Sequence, residues 1–380
     1  MLSTIVTIKR GNKVKKIGIV TIYDMTNYGN RLQNYAVCKS FEKEGAYAET
    51  LVCEKPIPFL KYIKKRLLSE IHAHTLPIYL ISDLGYIRWC KFEKFTRKYI
   101  PTRIIYTEDL YLPNKINNEY AEFVAGSDQI WNYEFPGRFG NYAIHSKDYF
   151  LTFADKNKRN SLSASFGITD VKEEWRQRYC SWLESFSKLS VREKEAAQLI
   201  QRLIGRTAQV LIDPTMYLTE SDWRKISSKP KRIDFSEPYL LEYFLFTNSN
   251  YDNSIQSMAD NLHLKRYKLW DVSFRELFVT SPDEFIYLID HATLICTDSY
   301  HAAVFAILFD KPFIVYERGN MNSRIDTLLQ TFCLEERKYS KVTKESILKV
   351  NFDRSKEILK IKRNDYKKYI RSIIAESNIL

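Results

Sequence analysis

Short β-branched runs alternate with stretches whose apolar positions recur at helical spacing. The apolar run at 17–23, flanked by charge, predicts a buried parallel strand. A turn follows at 24–30, and Leu32, Tyr35, Ala36, Cys38 and Phe41 then fall on one helical face until Gly45 supplies a stop. A second strand at 50–53 completes a β-α-β unit, whose crossover is expected to be right-handed. Further strands are predicted at 123–126, 162–166, 188–191 and 209–212, with a helix at 193–204 between the last two. A second series comprises strands at 239–246, 292–296 and 312–316 with helices at 254–261 and 298–309. Strands interleaved with helices in this way predict an α/β fold with parallel sheets. The polar, proline-bearing stretch 224–238 is the best linker candidate. The expected organisation is an N-terminal domain at 1–225 and a C-terminal domain at 236–350. A basic helix at 351–380 would pack back on the N-terminal domain. Residues 57–112 read as a helical elaboration, with basic amphipathic helices at 61–68 and 86–99 broken by Pro77 and Pro101. Two such domains leave a cleft between the carboxyl ends of their sheets, where open α/β folds bind ligands.

The length of 380 residues suits two domains, and 45% hydrophobic with 27% charged residues is a globular composition. None of the 11 glycines falls into GxGxxG or GxxxxGK[ST], which argues against dinucleotide and P-loop chemistry. The six cysteines form no CxxC pair and read as reduced, buried thiols. Without a long apolar run or a signal-peptide pattern, the expected location is the cytoplasm. The net charge of +12 is concentrated: residues 61–98 hold nine Lys and Arg against three acidic residues, and 338–371 hold twelve against four. Two local basic surfaces fit peripheral contact with an anionic membrane at its inner face; solvated lysine-rich helix faces are the alternative. Nucleic acid is not an expected partner. Trp89, Phe92, Phe95 and Tyr99 recur as a packed helical face, and no zinc-finger or RRM pattern occurs.

Several polar clusters stand at strand ends. In Ile295-Cys-Thr-Asp-Ser-Tyr-His301, Asp298 or Ser299 can cap a helix whose N-terminus favours an anion. His301 would then face the cleft as acid, base or phosphate donor, or else be a structural histidine. Arg192, in Ser190-Val-Arg-Glu193, sits at a strand-to-helix junction and suits a phosphate or carboxylate; pairing with Glu193 is the duller alternative. Ala125-Gly-Ser-Asp-Gln-Ile-Trp-Asn132 offers the Ser127 hydroxyl, the Asp128 carboxylate and the Trp131 ring as a sugar-stacking plate. The amides of Asn27, Tyr28 and Gly29 can bind an anion, although Asn and Gly are also ordinary turn residues. Arg324 follows Ser323, a helix cap, and reads as an anion ligand or a solvated side chain. His72 and His74 are two apart and point away from each other on a helix, so no metal site is expected.

Taken together, these segments resemble the polysaccharide pyruvyl transferase family. The stretches that carry the resemblance are Asn27-Tyr-Gly-Asn-Arg-Leu-Gln-Asn-Tyr-Ala36, Val124 to Asn132, Ser163 to Gly167, Leu189 to Glu193, Asp213-Pro-Thr215, Thr297 to His301 and Asn322-Ser-Arg324, in the family's order. The resemblance implies two Rossmann-like domains facing a cleft in a GT-B-like architecture. It also implies transfer of a pyruvate unit from phosphoenolpyruvate to two hydroxyls of a sugar, free or lipid-linked, with no cofactor or metal. On this basis Arg192 and Arg324 clamp the donor, assisted by Ser299, Asn27, Gly29 and Ser127, while His301 transfers protons. Asp128 orients or deprotonates the diol, and Trp131 or Tyr28 stacks on the sugar. One departure is Ala302, where the family usually has Gly after this histidine. A nucleotide-sugar glycosyltransferase and a non-catalytic glycan- or lipid-binding relative are the competing expectations.

Overall fold

Two parallel sheets, each covered by helices, place every candidate loop at a strand's carboxyl end. The computed structural model describes residues 14–54, 84–112, 115–134, 147–245, 251–317 and 323–376. The helix expected at 61–68, together with His72 and His74, lies outside them.

In the first half, β1 (Lys16–Val20) leads into α1 (Tyr28–Lys43), then β2 (Tyr47–Glu54). Next come α2 (Leu84–Tyr99), β3 (Thr102–Tyr106), β4 (Glu122–Ala125) and β5 (Arg159–Ser161). The sheet order is β3-β2-β1-β4-β5, all parallel. Then follow α3 (Glu173–Glu184), β6 (Ser190–Val191), α4 (Lys194–Ile204) and β7 (Gln209–Val210). The β6-β7 pair continues the sheet through bridges of Asn160 to Lys188 and Ala164 to Val191. Gly205 ends α4 in the left-handed region at φ 67°, where glycine carries no β-carbon penalty.

The second half contains β8 (Tyr239–Tyr243), α5 (Asp252–Asn261), β9 (Lys265–Lys268), α6 (Pro282–His291), β10 (Leu294–Thr297), α7 (Tyr300–Leu308) and β11 (Phe313–Val315). Its parallel order is β11-β10-β8-β9. The strand order therefore reverses between β1 and β4 in one sheet and between β8 and β10 in the other, which are the positions where open α/β sheets bind ligands. The α/β class with two parallel sheets is the one the sequence predicts.

The strand expected at 162–166 lies earlier, at Arg159–Ser161, with Ala164 only bridging Asp128 and Val191, and two further strands escape the sequence pattern. β3 and β9 are edge strands, and charged residues such as Arg103, Lys265 and Lys268 blunt such edges and hide the apolar run. The linker expected from residue 224 starts later, because Glu220–Ile226 is a helix closed by a Thr219–Asp222 capping box.

The halves share part of their core. One continuous apolar cluster includes Tyr28, Leu32 and Phe41 of α1 with Phe285 of α6 and Phe305 of α7. All nine residues of α7 are buried, so this helix is enclosed on every side, unlike an amphipathic surface helix. Beyond it, α8 (Ser323–Phe332) and α9 (Asp353–Glu376) close the chain. α9 docks on the first half: Arg363 Nε and Nη2 donate to the carbonyls of Met216 and Leu218 at 2.7 and 2.8 Å, and the Tyr369 hydroxyl donates to the Ser161 carbonyl at 2.9 Å. Among the described residues no helix is long and apolar enough to cross a membrane. The six cysteines are unpaired; Cys38, Cys90 and Cys296 are buried, whereas Cys53, Cys180 and Cys333 are partly exposed, which corrects the expectation of full burial.

Candidate functional site

Asp213 is the hub of a polar cluster where the strand ends of the two halves meet. It caps the short helix Pro214–Tyr217, its Oδ1 accepting from the Thr215 amide at 3.0 Å and the Thr215 hydroxyl at 2.7 Å. Its Oδ2 accepts from Arg192 Nη1 at 2.7 Å and from the Ser127 hydroxyl at 3.2 Å. His301 Nε2 approaches the same oxygen at 3.5 Å, too far for a good hydrogen bond. That nitrogen and Arg192 Nη2 are both buried without a hydrogen-bond partner. The other side of the imidazole lies against Gly29, in the first turn of α1. Burial pushes the Asp213 carboxyl up, but His301 and Arg192 outweigh it and hold the group well below the usual carboxylate range.

Asp128 follows β4 with φ 74°, a left-handed conformation that Asp tolerates better than most residues. Burial opposes its charge, yet Arg192, His301 and Arg324 together lower its pKa. Asn30 Nδ2 donates to Asp128 Oδ2 at 3.3 Å. Arg324, partly exposed on α8, crosses from the second half to Gln129, whose amide oxygen, suitably oriented, accepts from Nη1 at 2.7 Å and Nη2 at 2.9 Å.

Several expected roles are corrected by burial. The Arg192 side chain is 1% exposed, ringed by Asp213, Glu193 and Asp128 and stacked on Tyr300 with Cζ 4.3 Å from the ring centroid. It lies behind the site as a counter-ion, not at its mouth as a donor clamp. Tyr28 is enclosed, stacked on Phe285 at 4.4 Å between centroids, and its hydroxyl accepts from Arg88 Nη1 at 3.0 Å. Trp131 is likewise sealed, stacked on Phe150 at 5.4 Å, with Nε1 donating to the Tyr149 carbonyl at 3.3 Å. Neither ring offers a face to a sugar. Ser127 is buried and spends its hydroxyl on Asp213. Ser299 occupies the N-cap of α7 without a side-chain cap bond, and Asp298 instead accepts from the Leu245 amide at 2.7 Å, tying the end of β10 to that of β8. Asn27 caps α1 by accepting from the Asn30 amide at 3.1 Å. Ala302 is accommodated fully buried within α7.

Sequence reasoning assigned no role to Asp213 or Gln129, whereas the alternative it offered for Arg192, pairing with Glu193, is present at 3.3 Å between Nε and Oε1. An Asp placed after a strand and before Pro at a helix start was the available signal for Asp213. The pairing of that carboxylate with His301 joins residues 88 positions apart and has no local signature.

Residues 27–320, well over half of the chain, match the family model described as Polysaccharide pyruvyl transferase. No curated protein matches the chain. Solved structures with a similar course include UDP-GlcNAc 2-epimerase from Neisseria meningitidis bound to UDP-GlcNAc, 9% identical over 96% of this chain and 100% of that one, with a TM-score of 0.45. UDP-N-acetylglucosamine 2-epimerase from Rickettsia bellii is 10% identical over 96% of each chain, with a TM-score of 0.47. An Anabaena protein in complex with UDP and glucose is 10% identical over 95% of this chain and 98% of that one, with a TM-score of 0.40. Likenesses this distant carry no inference about what the present chain binds.

Proposed function

The chain belongs to the polysaccharide pyruvyl transferase family and is a transferase, and from that premise we propose that it moves a pyruvate unit from phosphoenolpyruvate onto two hydroxyls of a sugar in a polysaccharide or its lipid-linked precursor. The observation that carries this is His301, held between Asp213 and Gly29 at the meeting of the two strand-end surfaces, with a buried Nε2 that lacks a hydrogen-bond partner.

In the proposed reaction one sugar hydroxyl adds to C2 of the enolpyruvyl group while C3 gains a proton. The C2–O bond to phosphate then breaks, and the second hydroxyl adds to give the cyclic ketal. One hydroxyl proton is thus balanced at C3, and the other leaves with phosphate. His301 is the acid for C3, with Asp213 supplying the counter-charge when the ring is protonated. Asp128, kept ionised by its cationic neighbours, is a weak base and a good orienting acceptor for the diol. Arg324, partly exposed, is the cation placed to bind donor carboxylate or phosphate, with the backbone around Asn27, Gly29 and Ser299 at the starts of α1 and α7. Arg192 acts through Asp213 and Asp128. None of these steps needs a metal or redox cofactor.

The test is phosphate release from phosphoenolpyruvate in the presence of saccharides bearing vicinal or 1,3-diols, with ketal formation followed by mass spectrometry. Wild type is expected to release phosphate and His301→Gln to lose the activity while staying folded. Thermal stabilisation by UDP or CMP with none by phosphoenolpyruvate would instead favour a nucleotide-sugar glycosyltransferase. No response to either class, with unaltered surface glycan after His301→Gln, would favour a non-catalytic glycan-binding protein.

Association at an anionic membrane is part of the same proposal. The outward side of α9 carries Arg354, Lys360 and Lys368 around Ile361, which is 63% exposed. A basic helix face with an apolar residue at its centre suits a lipid surface of negative charge.

A further inference from the structure

The two rings expected to stack on a sugar are sealed inside, while a different aromatic group stands open at the carboxyl edge of the second sheet. β9 ends at Lys268, and the turn after it exposes Trp270, Val272 and Phe274 by 40%, 62% and 44%. The turn is held in shape. Asp271 Oδ1 accepts from the Ser273 amide at 2.8 Å and from the Ser273 hydroxyl at 2.6 Å, and the Phe274 amide donates to the Asp271 carbonyl at 3.1 Å.

The Trp270 ring is also backed from below. Arg88, almost wholly buried, lies with Cζ 4.6 Å from the Trp270 centroid and 4.5 Å from that of Tyr28. Its Nη1 donates to the Phe278 carbonyl at 2.6 Å and its Nη2 to the Thr26 carbonyl at 3.0 Å, which ties α2 of the first half to the turn in the second. Two short routes connect this ring to the candidate centre. One runs through Arg88 and Tyr28 to Gly29, against which His301 lies. The other runs through Tyr243, whose ring is 6.4 Å from that of Trp270 and whose backbone is in register with Thr297 of β10.

We propose that Trp270, flanked by Phe274, is the platform on which a pyranose ring of the acceptor stacks through its apolar C–H face, with Arg88 as the positioning residue beneath it. This inference rests on the acceptor-glycan assignment made above. A braced, partly exposed indole at the ligand edge of a sheet is suited to a sugar because stacking needs a fixed plate. The charge of the turn favours a sugar over an anionic lipid surface, since the partly exposed carboxylate of Asp271 stands between the aromatic residues, where it repels phosphate headgroups and can accept sugar hydroxyls.

The experiment uses the full chain, Trp270→Ala and the conservative Trp270→Phe, with methyl glycosides of glucose, galactose, mannose and N-acetylglucosamine and their disaccharides as probes. At least one glycoside is expected to change the tryptophan emission of wild type and to leave that of Trp270→Phe unchanged. In turnover, Trp270→Ala is expected to raise the acceptor KM roughly tenfold with the phosphoenolpyruvate KM within about twofold of wild type, and Trp270→Phe to restore most of the loss. An unchanged acceptor KM in an active Trp270→Ala enzyme would overturn the platform and leave ketal transfer standing. Glycoside-dependent emission that vanishes in Trp270→Phe, in a protein releasing no phosphate, would support the platform and remove the transferase chemistry. Emission that responds to phosphatidylglycerol vesicles and to no glycoside would identify a membrane contact and overturn the proposal, as would no response to any probe.

Discussion

The imidazole of His301 occupies the space that a side chain on Gly29 would need: a β-carbon there would lie 2.0 Å from Nδ1 and 2.4 Å from Cγ. The glycine is required by close approach between the halves, since its φ is not in the left-handed range. Gly29→Ala is therefore expected to push the imidazole off Asp213. The outcome should be a loss of kcat of about a hundredfold or more, with about 1–3 kcal/mol of destabilisation from overpacking. Phosphate-release kinetics beside urea unfolding would check this, and full activity would show that His301 needs no fixed position.

Arg192 and Arg324 should behave oppositely. Arg192→Met leaves the carboxylates of Asp213, Glu193 and Asp128 without their shared buried cation, a change expected to cost about 3–5 kcal/mol in stability. Arg324→Ala removes a partly exposed side chain and should fold normally while raising the phosphoenolpyruvate KM at least about tenfold. Denaturation midpoints and KM values for both variants separate support from substrate contact.

Asp222 provides a pH test of packing between the helix Glu220–Ile226 and α1. Burial pushes its carboxyl up, but the ion pair with Lys43 at 2.5 Å and the Thr219 bonds of the capping box prevail and bring its pKa down to about 2. A folded pKa below the unfolded value of about 3.9 gives stability that is present above about pH 4 and lost as pH falls through about 2. With solvent screening, Asp222→Asn should cost about 1 kcal/mol at pH 7, and the difference from wild type should shrink steadily below pH 4. Urea titrations across that range would reveal it, and a pH-independent difference would contradict the ion-pair origin.

The α9 face should bring the protein to anionic vesicles in a salt-sensitive way. Reversing Arg354, Lys360 and Lys368 to glutamate is expected to abolish flotation with phosphatidylglycerol vesicles while leaving soluble turnover unchanged. Equal flotation with neutral and anionic vesicles would remove this role.

The alternation of apolar runs and helical spacing determined the α/β class, most strands, and the loops that end on the site, because each depends on a few neighbouring residues. Loops at 27–30, 126–129 and 298–301 were legible for that reason. The edge strands β3 and β9 were not, since charged residues break their apolar pattern. Which side chains in those loops face a ligand was decided only in three dimensions. Trp131 and Tyr28 look like sugar platforms in sequence and are core residues in the fold, because their faces are covered by Phe150 and Phe285. Arg192 looks like a clamp and is a buried counter-ion, because the ends of β4 and β7 bring Asp128 and Asp213 to it. Burial and charge pairing sum over contacts between distant segments, and a local pattern of residue types carries no record of them.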